Sequence, residues 1–224
     1  MNININVDAK EQLKKQINSL YDISKEEIEA INNGYEMALE KLEKSFSHVN
    51  NKYYYGEGGI YFNPLHVGQW SMFLYDIAYV LRKQSASNIN LCDKIYGLSK
   101  CFSSADIFYE VEMPEIWFFD HPQGAVMGKA KYNDFFTFSQ GCTVGNNKGK
   151  YPEFGRHVSM LPNSKILGNC KIGNYVIFAA NSYVIDQDIP SLSLVFGMHP
   201  NITVKKISLE KFAELTGSMF KADE

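Results

Sequence analysis

The chain has 224 residues, a formal net charge of −3, and 45% apolar and 14% aromatic residues. This is the composition of a folded protein with a substantial core, in one large domain or two small ones, and it excludes a disordered chain. The mild acidity leaves no electrostatic footprint for nucleic acid, and no run of about eighteen apolar residues exists to form a transmembrane segment.

The opening residues, MNININVDAKEQLKKQ, contain no apolar signal core, so a cytoplasmic protein is expected. Residues 8–22 and 24–47 read as two polar-surfaced helices. Ser24 with Glu27 is a capping-box pair, and Ile28, Ile31, Tyr35, Leu39 and Leu42 form an apolar stripe at helical spacing. A Tyr/Gly-rich loop, YYYGEGGIYFNP, reads as a connector or a pocket mouth, and Pro64 suits a first helical turn. Val67 to Arg82 then places Trp70, Phe73, Ile77 and Leu81 on one face, and a short helix is expected over about 89–102.

From about Ala105 the pattern changes. Phe154, Met160, Ile166, Ile172, Phe178 and Val184 recur every sixth residue, and Val158, Ser164, Cys170, Val176 and Ser182 follow the first five by four. Period six is neither helix nor flat sheet; it is the hexapeptide signature of a parallel β-helix, with the large residue of each hexad pointing to the axis. Tyr132, Phe138 and Val144 share the phase, which slips by one residue between Met127-Gly128 and Tyr132. Between Val144 and Phe154 a polar excursion, Gly145 to Pro152, leaves the repeat, and such loops commonly carry function. The coils are expected to end near Pro190, and a helix from Ser208 to about Phe220 to cover the open end of the prism.

The four cysteines, Cys92, Cys101, Cys142 and Cys170, lack metal-ligand spacing, so no metal is expected; Cys142 and Cys170 sit at small hexad positions as buried thiols. Of five histidines, His48 reads as solvated, His66 as part of a helix first turn, His157 as an outward hexad position and His199 as part of the tail. His121, between Asp120 and Pro122, falls where the coil pattern is most irregular.

Asp106-Ile107, followed by Phe119-Asp120-His121-Pro122-Gln123-Gly124-Ala125-Val126-Met127-Gly128, resembles the catalytic segment of the serine acetyltransferases. Lys165 to Gly173, Asp188-Ile189-Pro190, Val195 to Pro200 and the helix from Asn63-Pro64 to Leu81 resemble further parts of that family. The resemblance implies a left-handed parallel β-helix of hexapeptide repeats, preceded by an α-helical region and followed by a C-terminal helix. It divides the chain into residues 1–103, 104–206 and 207–224. It also implies homotrimers, possibly paired into a dimer of trimers, with acetyl-CoA in a groove between subunits. His121 would be the general base and Asp106 the carboxylate orienting it. Imidazole suits that role because its ordinary pKa of about 6.5 leaves it neutral yet basic near pH 7. Asn63, Asp120, Lys150 and Tyr151 fall at the acceptor, and Gly145, Asn146, Ala179, Ala180 and Lys205 at the coenzyme groove.

Four positions depart from the family. Lys150 and Tyr151 stand for an Arg-His pair, Asn63 for an aspartate, and Lys129 for an acidic residue. These changes neutralise or reverse carboxylates and replace the bidentate fork of arginine, groups that would grip a free amino acid, and the chain has no Ile-terminated tail of the family's kind. A saccharide hydroxyl is therefore expected as acceptor, with L-serine as the alternative and a non-catalytic β-helix scaffold as a third reading.

Overall fold

The structure is a computed structural model and describes residues 3–56 and 58–221. It divides into two compact units, Met1–Ser47 with Asn51–Glu110 and His48–Asn50 with Val111–Glu224. Asp106 therefore belongs with the helical unit.

The helical unit runs β1 (Ile3–Ile5), α1 (Ala9–Leu20), α2 (Lys25–His48), β2 (Tyr55–Gly56), β3 (Gly59–Phe62), α3 (Val67–Gln84), α4 (Ile89–Ser103) and β4 (Asp106–Ile107). Local capping explains the helix starts. Asp8 Oδ1 accepts the Glu11 N–H at 3.0 Å, and Ser24 and Glu27 cap each other reciprocally at 2.8 and 3.2 Å. The stripe on α2 is buried at Ile31, Tyr35, Leu39 and Leu42, and Trp70, Phe73, Ile77 and Leu81 of α3 are buried as well. Pro64 lies in the turn before α3, whose cap is His66: its Nδ1 accepts the Gln69 N–H at 3.3 Å. The Tyr/Gly-rich stretch is more than a connector. It supplies β2 and β3, and β1 runs parallel to β3 with Ile3 beside Ile60 and Ile5 beside Phe62. No helix among the described residues is long and apolar enough to cross a membrane.

The second unit is a parallel β-helix. Its strands are β5 (Trp117–Phe119), β6 (Val126–Met127), β7 (Phe136–Phe138), β8 (Thr143–Gly145), β9 (Glu153–Phe154), β10 (Val158–Met160), β11 (Lys165–Leu167), β12 (Lys171–Ile172), β13 (Val176–Phe178), β14 (Tyr183–Ile185) and β15 (Ser193–Met198). They stack into three faces. The first is β5-β7-β10-β13-β15, the second β6-β8-β11-β14, and the third β9-β12 with bridges from Lys131 and Ile189. The register puts like on like: Phe119, Phe138, Met160, Phe178 and Val195 form one column, and Met127, Val144, Ile166 and Val184 another. All nine are buried, each contributing roughly 1.5–3 kcal/mol. The slip is real. Tyr132 stacks flat on Phe154 at 5.3 Å, so five residues separate the inward Met127 and Tyr132 where six separate Ile166 and Ile172.

Two parts of the end differ from expectation. Stacking continues past Pro190 because β15 adds Val195 onto Phe178, and the tail folds back through a turn with a cis His199–Pro200 bond into β16 (Asn201–Lys206). The last helix, α5 (Leu209–Thr216), stops early because Gly217 closes it in a left-handed conformation, φ 61°. It covers a flank of the prism, with Phe212 edge-on to His157 and Tyr175 at 6.4 and 5.5 Å. His157 is thus part of an aromatic ladder, stacked on Phe135 at 4.2 Å and on Tyr175 at 4.5 Å. His48 likewise meets Phe135 edge-on at 5.6 Å.

Side chains of one coil also bind backbone N–H groups of the coil before it. Asn174 Oδ1 accepts from Arg156, Ser191 Oγ from Asn174 and Asp188 Oδ1 from Lys171, at 2.8 to 2.9 Å. At this corner the backbones nearly touch: a Cβ on Gly173 would lie 2.4 Å from Ser191 N. Gly173→Ala is therefore expected to destabilise the β-helix by about 1–3 kcal/mol, read as a lower midpoint in denaturant with the slope unchanged. An unaltered midpoint would mean the coils are less closely stacked here.

Candidate active site

The corner between the first and second faces is turned by four residues in three successive coils, 139–142, 161–164 and 179–182. In the first coil six residues turn it, 120–125. The longer turn is anchored by Asp120 N–H to Phe138 O at 3.0 Å, Gln123 N–H to His121 O at 2.9 Å, and Ala125 N–H to Pro122 O at 3.0 Å. The extra length carries His121 outward, its side chain 77% exposed, with Nε2 3.7 Å from Asp120 Oδ1. That is an ion-pairing distance and longer than a hydrogen bond. His121 has a positive φ of 48°, but Phe135, His157, Tyr175 and Leu192 share the conformation at other corners, so it belongs to the architecture.

Asp106 sits in the helical unit with both oxygens engaged. Oδ1 accepts from the Tyr96 hydroxyl, and Oδ2 accepts from Lys100 Nζ at 2.9 Å. Partial burial opposes its charged form, but the Tyr96 hydroxyl and the Lys100 ammonium outweigh it and hold the carboxyl below its ordinary range. Asn63, in the same unit, spends its side-chain oxygen on the Leu65 N–H at 3.0 Å, so its amide NH₂ is what it has to offer a ligand.

The polar excursion is compact. Asn147 and Lys150 exchange backbone hydrogen bonds at 3.0 and 2.9 Å, and Lys148 and Gly149 between them have φ of 50° and 75°, a two-residue turn of the primed kind. Tyr151 follows, 39% exposed, with Lys129 Nζ 5.3 Å from its ring centroid. The two substituted positions face each other, an adjacency that sequence spacing does not give. Asp186 was not foreseen. Its Oδ2 accepts from Asn147 Nδ2 at 2.6 Å and its Oδ1 from the Asn169 N–H at 2.8 Å, clasping the excursion to the coils. Those two donors, the Asn169 N–H foremost, hold its carboxyl below the usual range. Asp186 stacks over Gly168, where a Cβ would lie 2.0 Å from its Oδ1.

The residues assigned to the coenzyme separate. Half-buried Ala179 and exposed Ala180 lie on the edge that carries His121, between the first and second faces. Gly145 and Asn146 lie on the edge between the second and third faces, beside the excursion, and Lys205 is on the β16 hairpin. His66 caps α3, where burial pushes its ring below the ordinary histidine range, and His199 lies in the β15–β16 turn.

The folded pKa of Asp106 is depressed, so its stabilisation is complete above the ordinary carboxylate range and is lost as pH falls through the lowered value. Lys100→Met should move its titration upward and start the acid loss of stability at higher pH, as followed by carboxyl NMR and thermal unfolding against pH. Identical titrations in the two proteins would show that the pair does not form.

No protein-family model matches the chain. Serine acetyltransferases of Staphylococcus epidermidis and Staphylococcus aureus are 34% and 32% identical to it over 138 residues, 59% of this chain and 62% of theirs. The chain thus spans about three-fifths of the length of these relatives. A solved serine acetyltransferase in complex with CoA superimposes with a TM-score of 0.66 at 19% identity, covering 88% of this chain and 83% of that one. The Neisseria gonorrhoeae enzyme gives 0.68 at 17%, covering 92% and 81%. In fold, and in sequence over the matched stretch, the chain is serine acetyltransferase-like.

Proposed function

We propose that the chain is an acetyl-CoA-dependent O-acetyltransferase whose acceptor is L-serine. The observation that carries this reading is His121, lifted out of the coil stack by a corner two residues longer than its neighbours and standing beside Asp120. In the reaction, His121 takes the hydroxyl proton as the acceptor oxygen attacks the thioester carbonyl carbon. The tetrahedral intermediate then expels the CoA sulfur, which takes the proton from the imidazolium. Asp120 stabilises that imidazolium from 3.7 Å. The resemblance gives the orienting role to Asp106, whose carboxylate is engaged by Tyr96 and Lys100 within the helical unit.

The saccharide acceptor suggested by Asn63, Lys150 and Tyr151 finds no support in the relatives, which are serine acetyltransferases, so serine takes its place. The lost charges still have a consequence. Lys129 over Tyr151 leaves a cation and a ring where a clamp for a zwitterion is expected, which favours a weak affinity for serine. Assembly as a trimer belongs to the same reading: Ala179 and Gly145 lie on different edges of one prism, and a single groove lined by both draws them from two chains.

CoA release should be measured with serine, free sugars and sugar nucleotides as acceptors. Serine should be the substrate, and His121→Asn should lower turnover by about two to four powers of ten while leaving CoA affinity nearly unchanged; Asp106→Asn should cost less. Turnover of a sugar but not serine would restore the saccharide acceptor, and no CoA release with any acceptor would leave the scaffold reading. Sedimentation at micromolar concentration should give a trimer or its multiple, and a monomer would contradict the shared groove.

A further inference from the structure

Beside the last helix, the β-helix unit holds a hollow that acetyl transfer does not use. Along the first face Phe136, Phe138, Val158, Met160, Val176 and Phe178 alternate inward, so Thr137, Ser159 and Ile177 point outward. All three are nonetheless buried, and α5 and residues 218–221 cover Thr137 and Ser159. Between the sheet and this cover is a cleft of about 590 Å³, within the range typical of small-molecule sites.

Its walls are aromatic. The stacked ladder Phe135–His157–Tyr175 forms one side, and Phe212 stands edge-on to it. Among the described residues no aspartate or glutamate lines it. The polar group at its floor is Ser159, whose hydroxyl is buried and has no hydrogen-bond partner among the described residues. Thr137 Oγ1 beside it reaches the weak acceptor Met219 Sδ at 3.5 Å. A face serving packing alone would carry an aliphatic residue here, as it does one strand further on at Ile177. A buried, unpaired hydroxyl instead destabilises the free protein, and a ligand that bonds it removes that cost.

We propose that this cleft is a binding site for a small aromatic molecule without positive charge, whose polar substituent hydrogen-bonds the Ser159 hydroxyl. The aromatic walls offer edge-to-face contacts to a ring, and with Lys221 lining the cleft and no carboxylate among its described lining residues a cation is disfavoured. The site is independent of the acetyl-transfer reading and is tested without activity.

The probes are phenol, toluene and benzylamine, with binding to the full chain followed by NMR chemical shifts of the Ser159 and Phe212 amides. Phenol should bind in the millimolar range or tighter and more strongly than toluene, and benzylamine should not bind. Ser159→Ala should weaken phenol by about tenfold, leave toluene unchanged, and raise the melting temperature of the free chain by removing the unpaired hydroxyl. No phenol binding, equal affinity for phenol and toluene, phenol affinity unchanged in Ser159→Ala, or benzylamine binding as well as phenol would each overturn the proposal.

Discussion

Side chains stacked in register along one axis hold the β-helix unit together. Phe119, Phe138, Met160, Phe178 and Val195 lie one above another because each strand pairs with its equivalent in the coils on either side. Register is what turns a six-residue repeat into a core, since a shift of one residue would exchange inward and outward positions along a whole strand. The constraint also limits where the chain can change. Length can vary only at corners, and the three irregularities lie there: two extra residues at 120–125, one fewer between Met127 and Tyr132, and the turn at Asn147–Lys150.

Those corners are where chemistry can be placed. A rigid stack supplies fixed backbone donors and acceptors, and an added residue must leave the prism. His121 is exposed for this reason, and Asp120 is carried with it. The excursion is held differently: Asp186 ties it to the coil stack through Asn147, which makes a short surface turn part of the scaffold. Lys129 and Tyr151 are then brought together across the fold.

Much of this was legible in the sequence, because period six records what each position faces. The inward residues, the slip before Tyr132, the four larger helices and the irregular corner at His121 all follow from spacing. What escaped has a common cause. The Phe135–His157–Tyr175 ladder occupies corner positions whose outward direction is indistinguishable, in sequence, from solvent exposure. Its burial depends on α5, whose resting place on the flank is set by tertiary packing of Phe212. The β15–β16 hairpin and the small β1-β3-β2 sheet escaped because their pairings join short segments with no repeat to mark them. Asp186 was hidden because its partners, Asn147 and Asn169, lie on other coils. At the candidate site, the histidine could be read from its motif, but the pairing of Lys129 with Tyr151 could not.

The central claim is that an exposed corner histidine promotes direct transfer of acetyl from CoA to serine. The most direct measurement is a single-turnover experiment with acetyl-labelled acetyl-CoA. With the coenzyme alone the label should stay on CoA. On addition of L-serine it should pass to the serine oxygen in the native chain and not detectably in His121→Asn. Label appearing on the protein before any acceptor is added, or passing to serine as fast without His121, would contradict the account.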